Sequence, residues 1–325
     1  MLYNTDILTD KLENYVKNIV FDLSPNSLFE PISYTLSLGG KRIRPLLTLM
    51  SANLFKDIID DAIKPAIGIE IFHNFTLLHD DLMDDSDVRR GKAAVHKKWN
   101  ANTAILSGDA MLIESYKYIS SVTPAHLPQT IELFSNTAMD VCRGQQYDMD
   151  FEERPDVTEL EYLDMIRLKT AVLLACSLKI GAILADAPSE DANHLYDFGI
   201  NIGLAFQIKD DLLDVYGDSV TFGKNIGDDI VNNKKTFLLI KALELADESQ
   251  KRNLLGLISE TKFNNQEKIE AVKNIYNELN LKEISEEVIN NYYLSALNAL
   301  NKVKVEDSRK KELASLAQNL MYREK

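Results

Sequence analysis

The chain has 325 residues, 45% hydrophobic and 26% charged, which excludes a disordered polymer and allows a sizeable core. Its formal net charge of −14 excludes binding of nucleic acid through the overall field, so a site for anions has to gather lysine and arginine locally. No Pro/Gly/Ser-rich linker, low-complexity block or short-period repeat divides it, and one domain over residues 1–325 is expected.

Gly and Pro number only 13 and 8, and apolar residues recur at spacings of three and four, a pattern that predicts an all-α protein. The first twenty residues, MLYNTDILTDKLENYVKNIV, carry charges at short intervals in place of a signal peptide's apolar region, and a cytoplasmic location is expected. Leu8, Leu12, Tyr15, Ile19 and Leu23 form a helical stripe that SPN at 24–26 ends. Leu28 to Leu38 is predicted helical up to the stop at Gly39 and Gly40. A long helix is predicted from Ala62 to about Asp84, and another from Ala101 to Ile119. Thr158 and Glu161 have capping-box spacing and open a helix expected to reach about Ala185. PSED at 188–191 starts the next, which runs through Phe206 to Val215 ahead of Gly217. GDSVTFGKNIG, 217–227, reads as a loop, with helix again near Asp229.

Strands are expected to be absent or trivial, because no two alternating runs flank a hairpin turn. The weakly polar stretch Ala171–Ala187 is interrupted by Lys179 and is too short to span a membrane. Cys142 and Cys176 have no metal-ligand spacing and read as free buried thiols. The C-terminal quarter alternates charge with Leu and Ile and reads as peripheral helices.

Two acidic motifs carry the chemistry. LLHDDLMDDSDVRRG, 77–91, places Asp80, Asp81, Asp84, Asp85 and Asp87 within eight residues, a repulsive cluster that calls for cationic partners. On a helix Asp80 and Asp84 lie one turn apart, roughly 6 Å between their stems, and can share a magnesium-like ion that prefers hard oxygen ligands. Alone, the run reads equally as a solvated acidic helix end. The spacing recurs in FQIKDDLLD at Asp210, Asp211 and Asp214, here inside apolar surroundings. The repetition points to two facing acidic walls holding more than one divalent cation. No EF-hand loop, HExxH pattern or cysteine cluster offers another metal site.

The cations are grouped as well. GGKRIRP, 39–45, sets Lys41, Arg42 and Arg44 after two glycines at a helix start, which suits a diphosphate. Arg89 and Arg90 stand beside the first acidic motif, RLKT supplies Lys169 and Thr170, and FGKNIGDD supplies Lys224, followed by Lys234 and Lys235. Singly each reads as a surface salt bridge, and only their joint placement points to anion binding.

In this order and at these separations, GGKRIRP, HDDLMDDSDVRRG, RLKTA, FQIKDDLLD and FGKNIGDD resemble the trans-isoprenyl diphosphate synthases, or polyprenyl synthetases, over about Gly39 to Lys235. The resemblance implies the all-α isoprenoid synthase fold, long helices around a central cavity, and a homodimer. It implies that Asp80, Asp81 and Asp84, with Asp210 and Asp214, bind three magnesium ions gripping an allylic diphosphate that Arg89, Lys169 and Lys224 contact, with Lys234 nearby. Gly40, Lys41, Arg44, His73 and Arg90 correspond to the isopentenyl diphosphate site, with His73 standing where some relatives have glutamine. Gln207 and Thr170 correspond to residues beside the reacting allyl group, Phe206 to an aromatic near isopentenyl diphosphate, and Asp148 of GQQYDMD to an organising aspartate.

The implied reaction ionises the allylic diphosphate, adds the double bond of isopentenyl diphosphate to the resulting cation, and loses a proton to give an all-trans product. Phe75, five residues before Asp80, together with Thr76 and Phe72, is expected to floor the path of the growing chain and limit it to C15–C20, geranylgeranyl ahead of farnesyl diphosphate. Rival readings are a longer-chain synthase, a class I terpene cyclase, which needs no second diphosphate cradle, a non-catalytic partner subunit, whose kind typically loses acidic residues, and an acidic helical scaffold.

Overall fold

The computed structural model describes residues 2–19, 21, 23–217, 226–259 and 264–321. The contacts group the chain into two compact units. Met1–Asn136, Cys176–Leu195 and Val303–Leu313 form the first; Thr137–Ala175, Tyr196–Lys302 and Ala314–Lys325 form the second.

In the first unit, helix α1 (Thr5–Lys17) starts where the Asn4 side chain accepts the Ile7 N–H and buries Leu8 and Leu12. It stops at Asn18, whose N–H turns back to the Tyr15 carbonyl while the Ile19 N–H meets that of Val16, so Ile19 and Leu23 of the predicted stripe lie outside it. Helices α2 (Asn26–Ser37), α3 (Ile43–Phe55) and α4 (Asp60–Met83) follow. α4 packs on α6 (Ala101–Ile119), and Gly68 permits the close approach: a Cβ there would meet the Ser115 carbonyl oxygen at 2.9 Å. Phe72, Phe134 and Tyr116 interlock edge to face beneath this seam, ring centres 5.1 and 5.0 Å apart.

Between α4 and α6 lies a hairpin absent from the sequence reading, β1 (Val88–Arg89) paired with β2 (Lys92–Ala93), followed by the single turn α5 (Val95–Lys98). Its central residues, Arg90 and Gly91, have φ of 52° and 73°, the left-handed pair that a tight two-residue turn requires. The expectation of trivial strands holds among the described residues.

The second unit is built on parts of α7 (Leu127–Glu153), α9 (Val172–Leu184) and α10 (Ser189–Tyr216), with α8 (Glu159–Ile166) between the first two. The capping box is present: the Thr158 side chain accepts the Glu161 N–H, and the Glu161 carboxylate accepts the Thr158 N–H. The helix after it is not uniform, because Arg167–Ala171 forms a π-helical turn joining α8 to α9. Helices α11 (Asp228–Val231), α12 (Phe237–Leu245), α13 (Glu248–Ser259), α14 (Asn265–Glu278), α15 (Leu281–Lys302) and α16 (Asp307–Met321) complete the described chain. The C-terminal helices are core elements, since Ala296, Leu300, Leu313 and Ala317 are buried. Cys176 is a buried free thiol, but Cys142 is exposed, which corrects the expectation for it. Among the described residues no helix is long and apolar enough to cross a membrane.

Candidate active site

The last turn of α4 and the turn that follows it give the five aspartates different surroundings. Asp80 and Asp84 stand one turn apart, the Asp84 N–H bonded to the Asp80 carbonyl. Asp81 points inward, 4% exposed, and takes Arg89 with both oxygens: Nε donates to Oδ1 at 2.9 Å and to Oδ2 at 3.1 Å, and a second Arg89 nitrogen also reaches Oδ1. Burial raises the Asp81 carboxyl, and Arg89 opposes that rise. Asp81 is therefore a holder of Arg89 in this geometry, rather than a third open carboxylate. Asp85 and Asp87 share Lys97 at 2.8 and 3.1 Å, a partner that sequence reasoning missed.

The GGKRIRP segment divides its cations. Gly40 has φ 134°, and a Cβ there would lie 2.7 Å from the Arg90 guanidinium carbon, so glycine is what admits that side chain. Arg90 in turn donates to the Gly39 carbonyl. Arg42, at a left-handed φ of 47°, turns into the core, where its Nη1 meets Glu70 Oε1 at 2.5 Å and its Nη2 donates to the Leu36 carbonyl at 2.7 Å. This removes Arg42 from the expected cradle: its charge is neutralised by Glu70.

Arg44 behaves differently. Its Nη1 lies 3.1 Å from His73 Nε2, and its buried Nε has no hydrogen-bond partner. Burial lowers its pKa to about 10, with Glu70 opposing and Arg90 adding to the fall, so it remains a cation at neutral pH. Burial and then Arg44, Arg90, Arg89 and Arg42 hold His73 well below the usual imidazole range. A neutral His73 accepts from Arg44 through Nε2 and keeps its proton on Nδ1. Among the described residues no carboxylate forms a salt bridge with Arg44 or Arg90, and Lys41 is exposed nearby. A partly buried guanidinium whose Nε keeps an unused donor suits an anion.

The second motif lines a polar pocket with Asp148, Tyr162, Lys169, Thr170, Gln207 and Lys234, among others. Asp210 is partly exposed, whereas Asp214 is 4% exposed and accepts the Asp229 N–H through Oδ2 at 3.2 Å. Asp211, 5% exposed, is pushed up to about 7 by burial and by Asp229, against hydrogen bonds from Tyr162, the Phe237 N–H and Gln207. Asp148 accepts from Lys169 Nζ at 2.6 Å, which suits an organising residue. The π turn offers Lys169 and Thr170 to the pocket, and it is gripped from two sides: a Cβ at Gly144 would strike the Lys169 backbone, and one at Gly203 would strike Ala171. Phe206 is partly buried beside Gln207 on α10. Lys224 lies outside the described residues.

Sequence reasoning also missed Tyr162 and Asp229. Tyr162 reads as one more apolar-stripe residue, while the second aspartate of NIGDD was a signal open to notice.

Phe72 is 1% exposed and Phe75 9%, their ring centres 5.6 Å apart, with Phe75 also edge-on to His79 at 4.8 Å. Thr76 spends its hydroxyl on the His73 carbonyl at 2.8 Å.

Among the described residues no group of three or more His, Cys, Asp or Glu is arranged to hold a metal unaided. The Asp80/Asp84 and Asp210/Asp214 pairs fit a different mode, in which a hard cation takes one or two carboxylates and completes its shell with water and phosphate oxygens.

The polyprenyl synthetase family model matches residues 25–279. The short chain isoprenyl diphosphate synthase of Methanocaldococcus jannaschii is 39% identical over 84% of this chain and 83% of its own. The geranylgeranyl diphosphate synthase of Sulfolobus acidocaldarius is 35% identical over 91% and 90%. A crystal structure of a geranylgeranyl pyrophosphate synthase, 43% identical, superposes with a TM-score of 0.94 over 99% of both chains. The chain belongs to the polyprenyl synthetase family.

Proposed function

We propose that this trans-prenyltransferase joins isopentenyl diphosphate to dimethylallyl, geranyl or farnesyl diphosphate and releases an all-trans C15–C20 product, geranylgeranyl ahead of farnesyl diphosphate. The observation that carries the reading is Arg44, a half-buried cation whose buried Nε is unpartnered, beside Arg90 and the two glycines. Gly40, Lys41, Arg44, His73 and Arg90 are assigned to isopentenyl diphosphate. The allylic diphosphate is assigned to Arg89, Lys169, Lys224 and Lys234, with Asp148 orienting Lys169. Asp80, Asp84, Asp210 and Asp214 would hold magnesium, three ions in the full assignment. When bound, such ions supply positive charge to the leaving diphosphate.

The chain's own groups do the rest. Arg89, kept in place by Asp81, and Lys169, kept in place by Asp148, present charge-assisted donors where diphosphate oxygens gain negative charge. Thr170, Gln207 and Phe206 border the electron-poor allylic carbon. The isopentenyl double bond then forms the new carbon–carbon bond, and the proton lost from the adjacent carbon passes to the released diphosphate. No side-chain nucleophile takes part. Purified protein incubated with both substrates and magnesium is expected to release diphosphate and yield C15–C20 prenyl diphosphate. Absence of diphosphate release would sink the enzyme reading and favour a non-catalytic partner subunit.

Chain length is assigned to Phe75, with Phe72 supporting it from the core. A product growing from Asp80 along α4 meets the Phe75 ring after just over one helical turn, about 7.5 Å at the usual rise per residue. Phe75→Ala is expected to shift the main product by one or more isoprene units while the reaction continues, measured by chromatography of dephosphorylated products. Because the ring is 9% exposed, some loss of stability accompanies the change under either reading. Unchanged product length would reduce Phe75 to a packing residue.

A homodimer is proposed through α6, whose exposed Ile105, Leu106 and Ile113 make an apolar face on an otherwise ordinary helix. Ile113→Glu is expected to weaken association, read as a lower sedimentation-derived mass at micromolar concentration. An unmutated protein that sediments as a monomer would remove the proposal.

A further inference from the structure

We propose that Tyr162 and Asp211 are positioning residues that fix which end of the Gln207 amide faces the reacting carbon. The inference rests on the reading that Gln207 borders that carbon. Asp211 is the member of the second motif to which no metal has been assigned, and its surroundings explain why. Its Oδ2 accepts the Tyr162 O–H at 2.5 Å and the Phe237 N–H at 3.0 Å. Its Oδ1 accepts Gln207 Nε2 at 3.3 Å, and Gln207 Oε1 accepts the Thr170 hydroxyl at 3.1 Å. Tyr162 is 2% exposed and Asp211 5%, so this run of bonds is anchored where water cannot substitute.

Direction follows from donor and acceptor chemistry. With Tyr162 and the Phe237 N–H donating to Oδ2, the contact left to Oδ1 is Gln207 Nε2, so the end of Gln207 that faces Asp211 is the NH2 group. The amide oxygen is thereby turned to Thr170, on the lining of the same pocket. A partial negative charge then faces the position where positive charge develops; a reversed amide would present N–H groups there instead. Tyr162 and the Phe237 N–H saturate Oδ2, which keeps the carboxylate plane oriented and leaves Oδ1 to the amide. The three bonds come from α8, α10 and the first residue of α12, so no single element sets the orientation alone.

The test is a double-mutant cycle on the full-length enzyme, with Tyr162→Phe, Gln207→Leu and their combination, followed by diphosphate release with both substrates. Tyr162→Phe is expected to lower kcat about tenfold with each KM changed less than about twofold, the loss of an interaction felt in the transition state. In the Gln207→Leu background the same change is expected to cost less than about twofold, because the group it acts through is gone. An equal loss in both backgrounds would show that Tyr162 only supports the fold and would overturn the proposal. Asp211→Asn, whose amide can donate and so permit Gln207 to reverse, is expected to lower kcat at least as much, with no further loss on adding Tyr162→Phe; near-normal kcat in Asp211→Asn would equally overturn it. Wild-type protein that releases no diphosphate would count against the functional reading. The same cycle read as urea midpoints without substrate then decides the connection itself: the Tyr162→Phe loss should at least halve in the Gln207→Leu background, and strict additivity would overturn it.

Discussion

Asp80→Ala and Asp210→Ala are each expected to lower turnover by about two to four orders of magnitude, because each removes a hard-oxygen ligand from the ions that draw charge off the leaving diphosphate. The folded state should not suffer. Asp80 is partly exposed and lies 3.9 Å from Arg89, and Arg89 keeps its two-oxygen grip on Asp81 after the change. Removing Asp80 also relieves repulsion from Asp81, whose carboxyl it helps to raise. Asp210 is likewise the accessible member of its motif, whereas Asp211 and Asp214 are buried and hydrogen-bonded to the fold. Diphosphate release across a magnesium titration, together with thermal melting, gives the check. Turnover near the wild-type level at any magnesium concentration, in either variant, would overturn the assignment of these carboxylates.

Arg42→Ala is expected to destabilise the protein by about 3–5 kcal/mol, the cost of leaving one member of a buried ion pair unpaired. Glu70 is 2% exposed, and one of its oxygens already lacks a hydrogen-bond partner; Asn74 would remain on the other at 2.7 Å. The Leu36 carbonyl loses its donor as well. Replacing both partners, Arg42→Met with Glu70→Met, is expected to recover much of the loss because the buried charge is then gone. Arg44→Ala, two residues on, is expected to act the other way round, with modest loss of stability and a KM for isopentenyl diphosphate raised about tenfold or more. Urea unfolding and initial rates for the four proteins separate these outcomes. Equal stability losses for Arg42→Ala and Arg44→Ala, with unchanged KM in both, would show that neither arginine serves a ligand.

Those two arginines also mark where sequence reading runs out. What the chain determined by itself is local: Asp80 and Asp84 face one way because a helix returns every 3.6 residues, Thr158 and Glu161 cap each other three residues apart, and Ala101–Ile119 carries its own apolar period. The ordered motifs were enough to anticipate the family, since each holds its residues at short, fixed spacing. Tertiary structure decided the rest, because the partner of a charge is chosen by distant residues. Arg42 was expected in the cradle, yet a left-handed backbone at residue 42 swings it to Glu70, 28 positions away, while Arg44 stays with His73. Lys97 comes back to Asp85 and Asp87 only because the Arg90–Gly91 turn reverses the chain. The π turn at Arg167–Ala171 leaves no mark in the hydrophobic period; it is seen through Gly144 and Gly203, single glycines on two other helices that let backbone meet backbone. Asp211 shares a motif with Asp210, and Tyr162, Phe237 and burial turn it from a candidate ligand into an anchor, because in a low-dielectric interior the nearest donors rather than the spacing of the motif set what a carboxylate does.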